Sequence, residues 1–257
     1  MPMRTLSIRW ETVHRHGEAW ISHHRLRYRM FVERQGWSVP HHECMEYDEF
    51  DTPAATYIIV VDEHDQALGT ARLIPTTRPY MVEQLWPDLV EGLLPHSDQV
   101  WEASRFGCDR ALGAVRRRRV IGQLIQACQE FGVVHGITSY LGVMPSWVFQ
   151  NVIAAHGCPV KPLGPTTSLH GHAIEAASIE VSPVVLDRVR ASTGLRQVLQ
   201  DAERLQGGPV SLSPALAGGI VPEPEEADLH LAAGASHRPS RAQEPHLATT
   251  RCIRSLK

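Results

Sequence analysis

Lysine is almost missing: of the 25 basic residues in this 257-residue chain only Lys161 and Lys257 are lysines, so arginine carries nearly all of the positive charge. Arginine suits bidentate phosphate and carboxylate recognition, but GC-rich coding produces the same bias, so the shortage names no partner. An excess of one sign is also absent. A net charge of −3 leaves no global field to draw the chain to nucleic acid or an anionic membrane, and any basic site must be local. No stretch approaches the roughly 18 uninterrupted apolar residues of a membrane span, and MPMRTLSIRWETVHR has no apolar signal region. The expectation is a cytoplasmic protein with no membrane span and no nucleic-acid partner. Cysteines are few: Cys44, Cys108, Cys128, Cys158 and Cys252 are odd in number, spread out and free of any CxxC pair, which reads as reduced thiols.

Several catalytic signatures are lacking as well. Without a Walker loop or GxGxxG, nucleotide hydrolysis and dinucleotide binding have no support. No Gly-x-Ser-x-Gly elbow occurs, and Ser104 and Cys108 lack a nucleophile signature, which argues against covalent hydrolysis. His23-His24 and His41-His42 are sequence neighbours, which rarely converge on one ion, and HExxH is absent, so no metal is expected.

What the chain does contain, with 43% hydrophobic residues, is material for one good core. A helix is predicted from Gly17 to Arg34, with Arg27 one turn before Phe31, followed by a loop through the acidic run Glu46 to Asp51. TYIIVVD and ALGTARLIP read as a β-hairpin, VEQLWPDLV as a short helical turn, and VWEASRFGCD as a strand. Period-two alternation in that strand puts Glu102, Ser104 and Phe106 on one face and Arg105 on the other. An amphipathic helix follows Arg116 to Arg119 and ends near Gly132. Then come a strand GITSYLGVM, a helix SWVFQNVIAAHG, a strand AASIEVS and a helix over Pro183 to Leu205. Interleaved strands and helices predict a mixed α/β sandwich. Residues 1–206 form the expected domain, and the Gly/Pro/Ala-rich segment 207–257, with no sustained period, is expected to be disordered or loosely attached.

Three groups are candidates for chemistry. Glu43, Glu46, Asp48, Glu49 and Asp51 read either as a solvated surface loop or, with Trp37 and Tyr47, as a site for a cationic ligand that stacks on aromatic rings. Glu102, Arg105 and Arg72 read either as a salt bridge at a sheet end or as a base with carboxylate-clamping arginines. Arg116, Arg117, Arg118 and Arg119 read as a solvated helix start or as a phosphate site.

Taken in order, Arg27-x-x-x-Phe31-x-x-x-x-x-Trp37, Asp48-x-x-Asp51, Gly69-Thr-Ala-Arg72-Leu and Glu102-Ala-Ser-Arg105-Phe resemble the LuxI-type autoinducer synthases, which make acyl-homoserine lactones. The resemblance covers about residues 5 to 195 and implies a three-layer αβα sandwich with a mixed central sheet, like the N-acetyltransferases. It implies an acyltransferase that joins an acyl group to the amine of S-adenosylmethionine and lactonises the product, releasing methylthioadenosine. The implied substrates are S-adenosylmethionine and an acyl thioester on coenzyme A or acyl carrier protein, with no prosthetic group. On this reading Glu102 is the base, with Ser104 and Arg105 beside it. Phe31 and Trp37 wall the adenosylmethionine pocket, Asp48 and Asp51 order or contact its charged end, and Arg27, Arg72 and Arg105 maintain an ion-pair network. Arg116 to Arg119 then meet the phosphopantetheine phosphate or a carrier protein. Trp86, Phe106, Met144, Trp147 and Phe149 are the acyl-pocket candidates, Trp86 standing where most members have phenylalanine. The competing readings are a related acyltransferase acting on another amine and a non-catalytic binding protein with this fold.

Overall fold

A computed structural model describes residues 2–169 and 171–199. The expected tail, 207–257, lies outside the described residues. The first half holds β1 (Arg4–Ile8), α1 (Gly17–Arg27) with a π-helical continuation (Tyr28–Glu33), β2 (His41–His42), β3 (Met45–Glu46), β4 (Thr56–Val61), β5 (Ala67–Pro75), α2 (Met81–Leu85) and β6 (Val100–Cys108). The second half holds α3 (Ala114–Val134), β7 (Ser139–Pro145), α4 (Ser146–Val148) with a π-helical continuation (Phe149–Ile153), β8 (Val160–Pro162), β9 (Thr167–Leu169), β10 (His172–Glu180) and α5 (Pro183–Thr193).

The main sheet runs β1-β4-β5-β6-β7-β10-β8, with β9 also paired to β10. Among the named strands of the described residues only β6 and β7 pair in parallel, so the sheet is mixed, as expected. All six residues of β4 are buried, which marks a strand covered on both faces. Its alternate side chains serve different cores. Ile58 and Val60 pack with Val120, Leu124 and Phe131 of α3, whereas Tyr57, Ile59 and Val61 pack with Leu26, Met30 and Phe31 of the first helix. These two apolar layers make the αβα sandwich.

Element limits differ from expectation where a local feature overrides periodicity. The first helix turns π-helical at Tyr28, which accounts for the mixed spacing of its apolar residues. Helix α3 passes through Gly132 to Val134. A Cβ at Gly132 would lie 2.6 Å from Val181 Cγ1 and 2.9 Å from the Tyr140 hydroxyl, so glycine here permits close packing and is not a stop. Helix α5 ends at Thr193, well before Leu205, because Gly194 adopts a left-handed conformation, φ 73°. Strands β1, β2–β3, β8 and β9, none longer than five residues, fall outside the elements expected from sequence.

Cys108, Cys128 and Cys158 carry free thiols; Cys44 is not among them, so the reading of five reduced cysteines does not hold at that position. Among the described residues no helix is long and apolar enough to cross a membrane.

Candidate active site

The site begins with an irregularity in β6. Its antiparallel register with β5 passes from Arg72↔Ser104 to Thr70↔Gly107, so Arg105 and Phe106 together oppose one residue. This is a β-bulge, and Arg105 stands in it with φ 51°, a left-handed conformation unusual for a side-chain-bearing residue. The bulge corrects the alternation argument. Arg105 does not leave on the face opposite Ser104; it shares Asp48 with Arg72, whose Nε donates to Ser104 Oγ at 3.1 Å.

Three arginines and three carboxylates meet here. Arg27 donates through Nε to Glu46 at 2.5 Å and through both Nη atoms to Asp51 at 2.7 and 2.8 Å. Arg72 bonds Asp48 and reaches Asp51 at 3.0 Å. Arg105 meets Glu46 at 2.9 Å, and its Nη2 lies 2.6 Å from Asp48 Oδ2 outside hydrogen-bond alignment. The six side chains are at most 7% exposed, so their charges are paired out of water. The acidic segment is therefore not a solvated loop at Glu46, Asp48 and Asp51, although Glu43 and Glu49 are exposed. Burial alone would raise the Asp51 pKa, but the bonds and charge of Arg27, with Arg72 and Tyr57, hold it well below the usual carboxylate range. Tyr57 donates to Asp51 at 2.7 Å. The family resemblance assigns Glu46 no role, and only its place in the acidic run makes it a candidate.

Buried histidines support this loop. His24 Nδ1 donates to the Glu46 carbonyl at 2.8 Å and His23 Nδ1 to the Trp20 carbonyl at 2.6 Å, so the pair is engaged with backbone. Burial, with Arg27 nearby, lowers the His24 pKa to about 4. At neutral pH the ring adds no fourth positive charge.

Glu102 and Ser104 lie beside the network. The Glu102 side chain is fully buried; Oε2 accepts the Val82 N–H at 2.7 Å and Oε1 has no partner. Burial raises its pKa, against the opposing pull of the Val82 N–H, Arg72 and Ser104. Arg72 Nη2 is likewise buried without a partner. Two orphaned atoms of opposite character thus belong to residues neighbouring Ser104 in the sheet.

The β6–β7 ladder stops after Glu102↔Leu141, and Ala103–Cys108 and Val143–Pro145 beyond it line a cleft of about 1450 Å³. Phe31 and Trp37, stacked at 5.0 Å and 17°, also line it, and the Arg105 guanidinium lies 5.2 Å from the Phe31 ring. Arg117, Arg118 and Arg119 line it from the start of α3. Arg116 instead lines a separate cavity with Met3 and Arg119. Trp86, Phe106, Met144 and Trp147 are on the cleft wall, Trp147 being 55% exposed. Phe149 is not: it is 1% exposed inside the α3-side core, so it leaves the acyl-wall set. Glu102 is also not on the wall, although Ser104 and Arg105 are.

A sequence model of the family described as autoinducer synthase matches residues 14–189. An acyl-homoserine-lactone synthase of Acinetobacter nosocomialis is 32% identical over 165 residues, covering 60% of this chain and 88% of that protein. Among solved structures, the CoA-dependent acyl-homoserine lactone synthase BjaI with MTA superposes with a TM-score of 0.71 at 26% identity, covering 79% of this chain and 99% of that one. The same protein with SAM and isopentyl-CoA gives 0.69 at 26% identity and the same coverage.

Proposed function

The chain belongs to the autoinducer synthase family, and on that premise we propose that it acylates S-adenosylmethionine and closes the product to an N-acyl-homoserine lactone. The observation that carries this reading is one cleft lined both by the stacked Phe31–Trp37 pair and by Arg117 to Arg119, an aromatic site and a basic site for two different substrates. The solved relatives that hold MTA, or SAM with isopentyl-CoA, support the same pairing.

In the first step the α-ammonium loses a proton, and the amine lone pair attacks the thioester carbonyl. The C–S bond breaks with its electron pair going to sulfur, which takes the second proton shed by nitrogen and leaves as a thiol. In the second step the carboxylate oxygen of the methionyl group attacks its own γ-carbon. The C–S bond to the sulfonium breaks with its electron pair going to sulfur, which releases neutral methylthioadenosine. Both leaving groups arrive activated, so neither step calls for a prosthetic group.

Glu102 takes the proton. Its raised pKa brings its basicity closer to what an amine requires, and its absence from the cleft wall favours transfer through one water. The unpartnered Glu102 Oε1 and Arg72 Nη2 are both buried behind the cleft wall, so they act on the ammonium and carboxylate of the head group through bridging water. The neutral network of Arg27, Arg72, Arg105, Glu46, Asp48 and Asp51 holds the loop carrying Trp37 against the sheet. Asp48 and Asp51 thus act by ordering the pocket, since their oxygens already meet arginines.

Arg117, Arg118 and Arg119 receive the donor's phosphate, with Trp86, Phe106 and Met144 around the acyl chain and Trp147 at the rim. The CoA-dependent relatives support a coenzyme A thioester as donor; acyl carrier protein is the comparison substrate. Trp37→Ala should raise KM for S-adenosylmethionine about tenfold, a loss near 1.4 kcal/mol, and leave the thioester KM within twofold. Arg118→Ala should do the reverse. If both variants shifted both constants equally, the two-ended cleft would be the wrong description.

A further inference from the structure

Helix α3 packs on the sheet, yet Gln123, Gln126, Gln129 and Glu130 on it are all at least nine-tenths buried. Burying a polar group costs free energy unless it is hydrogen-bonded, so the partners of Gln126 and Glu130 show what these side chains hold. Gln126 and Glu130, one turn apart, are joined by a 3.0 Å hydrogen bond from Gln126 Nε2. Their remaining bonds go to the last turn of α5 and the segment that follows it, and Arg190 Nη2 of α5 also lies 3.9 Å from Glu130 Oε1. Thr193 Oγ1 donates to Gln126 Oε1 at 2.5 Å, and Gln126 Nε2 donates to the Leu195 carbonyl at 3.3 Å. The backbone N–H groups of Val198 and Leu199 donate to the Glu130 carboxylate at 3.0 and 2.9 Å.

Residues 194–199 contribute no named strand or helix, and a single bridge joins Leu199 to Thr5. Ser192, Thr193, Gly194 and Leu195 nonetheless line the cleft, as do Arg118, Arg119 and Gly122. At the arginine end, part of the wall is thus an irregular strap whose place is set by two side chains of α3.

We propose that Gln126 and Glu130 are positioning residues for the thioester half of the site, fixing the 192–199 strap as the wall beside Arg118 and Arg119. The inference rests on the reading of that end as the donor's binding site. It deepens that reading by adding two residues, neither on the cleft wall, that act on the donor and not on S-adenosylmethionine.

The test measures both Michaelis constants and amide hydrogen exchange in Glu130→Gln and Thr193→Val, using octanoyl-CoA and S-adenosylmethionine. Thr193→Val removes the bond to Gln126 and the one accepted from the Leu195 N–H without altering α3, which keeps the test open if Glu130→Gln folds poorly. The expected result is faster exchange at Val198 and Leu199, a rise of about tenfold in the octanoyl-CoA KM for Glu130→Gln and a smaller one for Thr193→Val. The S-adenosylmethionine KM and kcat should stay within twofold. Faster exchange with an unchanged octanoyl-CoA KM would overturn the strap's role, as would unchanged exchange in both variants or equal rises in both constants. Arg118→Ala run alongside separates the two ideas. If it raises the octanoyl-CoA KM and the strap variants do not, only the strap inference fails; if none of the three does, the donor-site reading fails with it.

Discussion

Replacing Glu46 with glutamine removes one negative charge from a cluster where three guanidiniums face three carboxylates, leaving a net positive charge in a buried place. Glu46 is fully buried and is 2.5 Å from Arg27 Nε and 2.9 Å from Arg105 Nη2. Removing one partner of a buried ion pair costs about 3–5 kcal/mol, mostly the penalty of the charge left behind. The Arg4–Asp65 pair is the internal control: its side chains are 41% and 45% exposed, and such surface pairs contribute at most about 1 kcal/mol. Urea unfolding of Glu46→Gln and Arg4→Gln should show losses of about 3–5 and under about 1 kcal/mol respectively. A small domain has about 5–15 kcal/mol in total, so the first loss is severe. The double variant Glu46→Leu/Arg105→Met restores neutrality and should cost less than the sum of its single changes. A Glu46→Gln loss no larger than that of Arg4→Gln would refute the claim that the network is shut away from water.

Three more outcomes follow from the site. Glu102→Gln should lower kcat by about 10²–10⁴-fold, and because burial raises the Glu102 pKa, the acid limb of the wild-type rate profile should lie above the usual glutamate range; near-normal turnover of the variant at neutral pH excludes the base assignment. Burial holds the folded His24 pKa below the ordinary 6.5, at about 4, so its contribution is full above pH 6.5 and is lost as pH falls from there towards 4. The loss amounts to at most about 3 kcal/mol, and His24→Asn should flatten that part of the stability–pH curve. Arg105→Gly and Arg105→Ala both lose the ion pairs, but only alanine keeps the left-handed strain, so the glycine variant should unfold about 1 kcal/mol later; equal stabilities would contradict the strained bulge.

The sequence reveals the parts of this site set by local pattern. Six apolar or β-branched residues in β4 and the apolar stripe of α3 announce a strand covered twice and a helix lying on it. The order of the four motifs predicts the chemistry, although no single motif does. What stays hidden depends on residues remote in sequence. Glu46 reads as one acid in a hydrophilic loop; it is buried because Arg27 and Arg105 reach it from the first helix and from β6. Arg105 defeats alternation because one extra residue in β6 rotates it towards Arg72's partner Asp48. Phe149 follows Trp147 closely, yet it turns into the core and Trp147 to the cleft rim. The 192–199 strap runs on from the end of α5 without periodicity, and its anchors look like ordinary polar positions of an amphipathic helix.

The most direct test is a stoichiometric one: the purified 257-residue chain with S-adenosylmethionine and octanoyl-CoA, with free thiol, methylthioadenosine and product mass measured in one reaction. The account predicts equal molar release of thiol and methylthioadenosine with the mass of N-octanoyl-homoserine lactone. Thiol release with an acylated amine but no methylthioadenosine would contradict it.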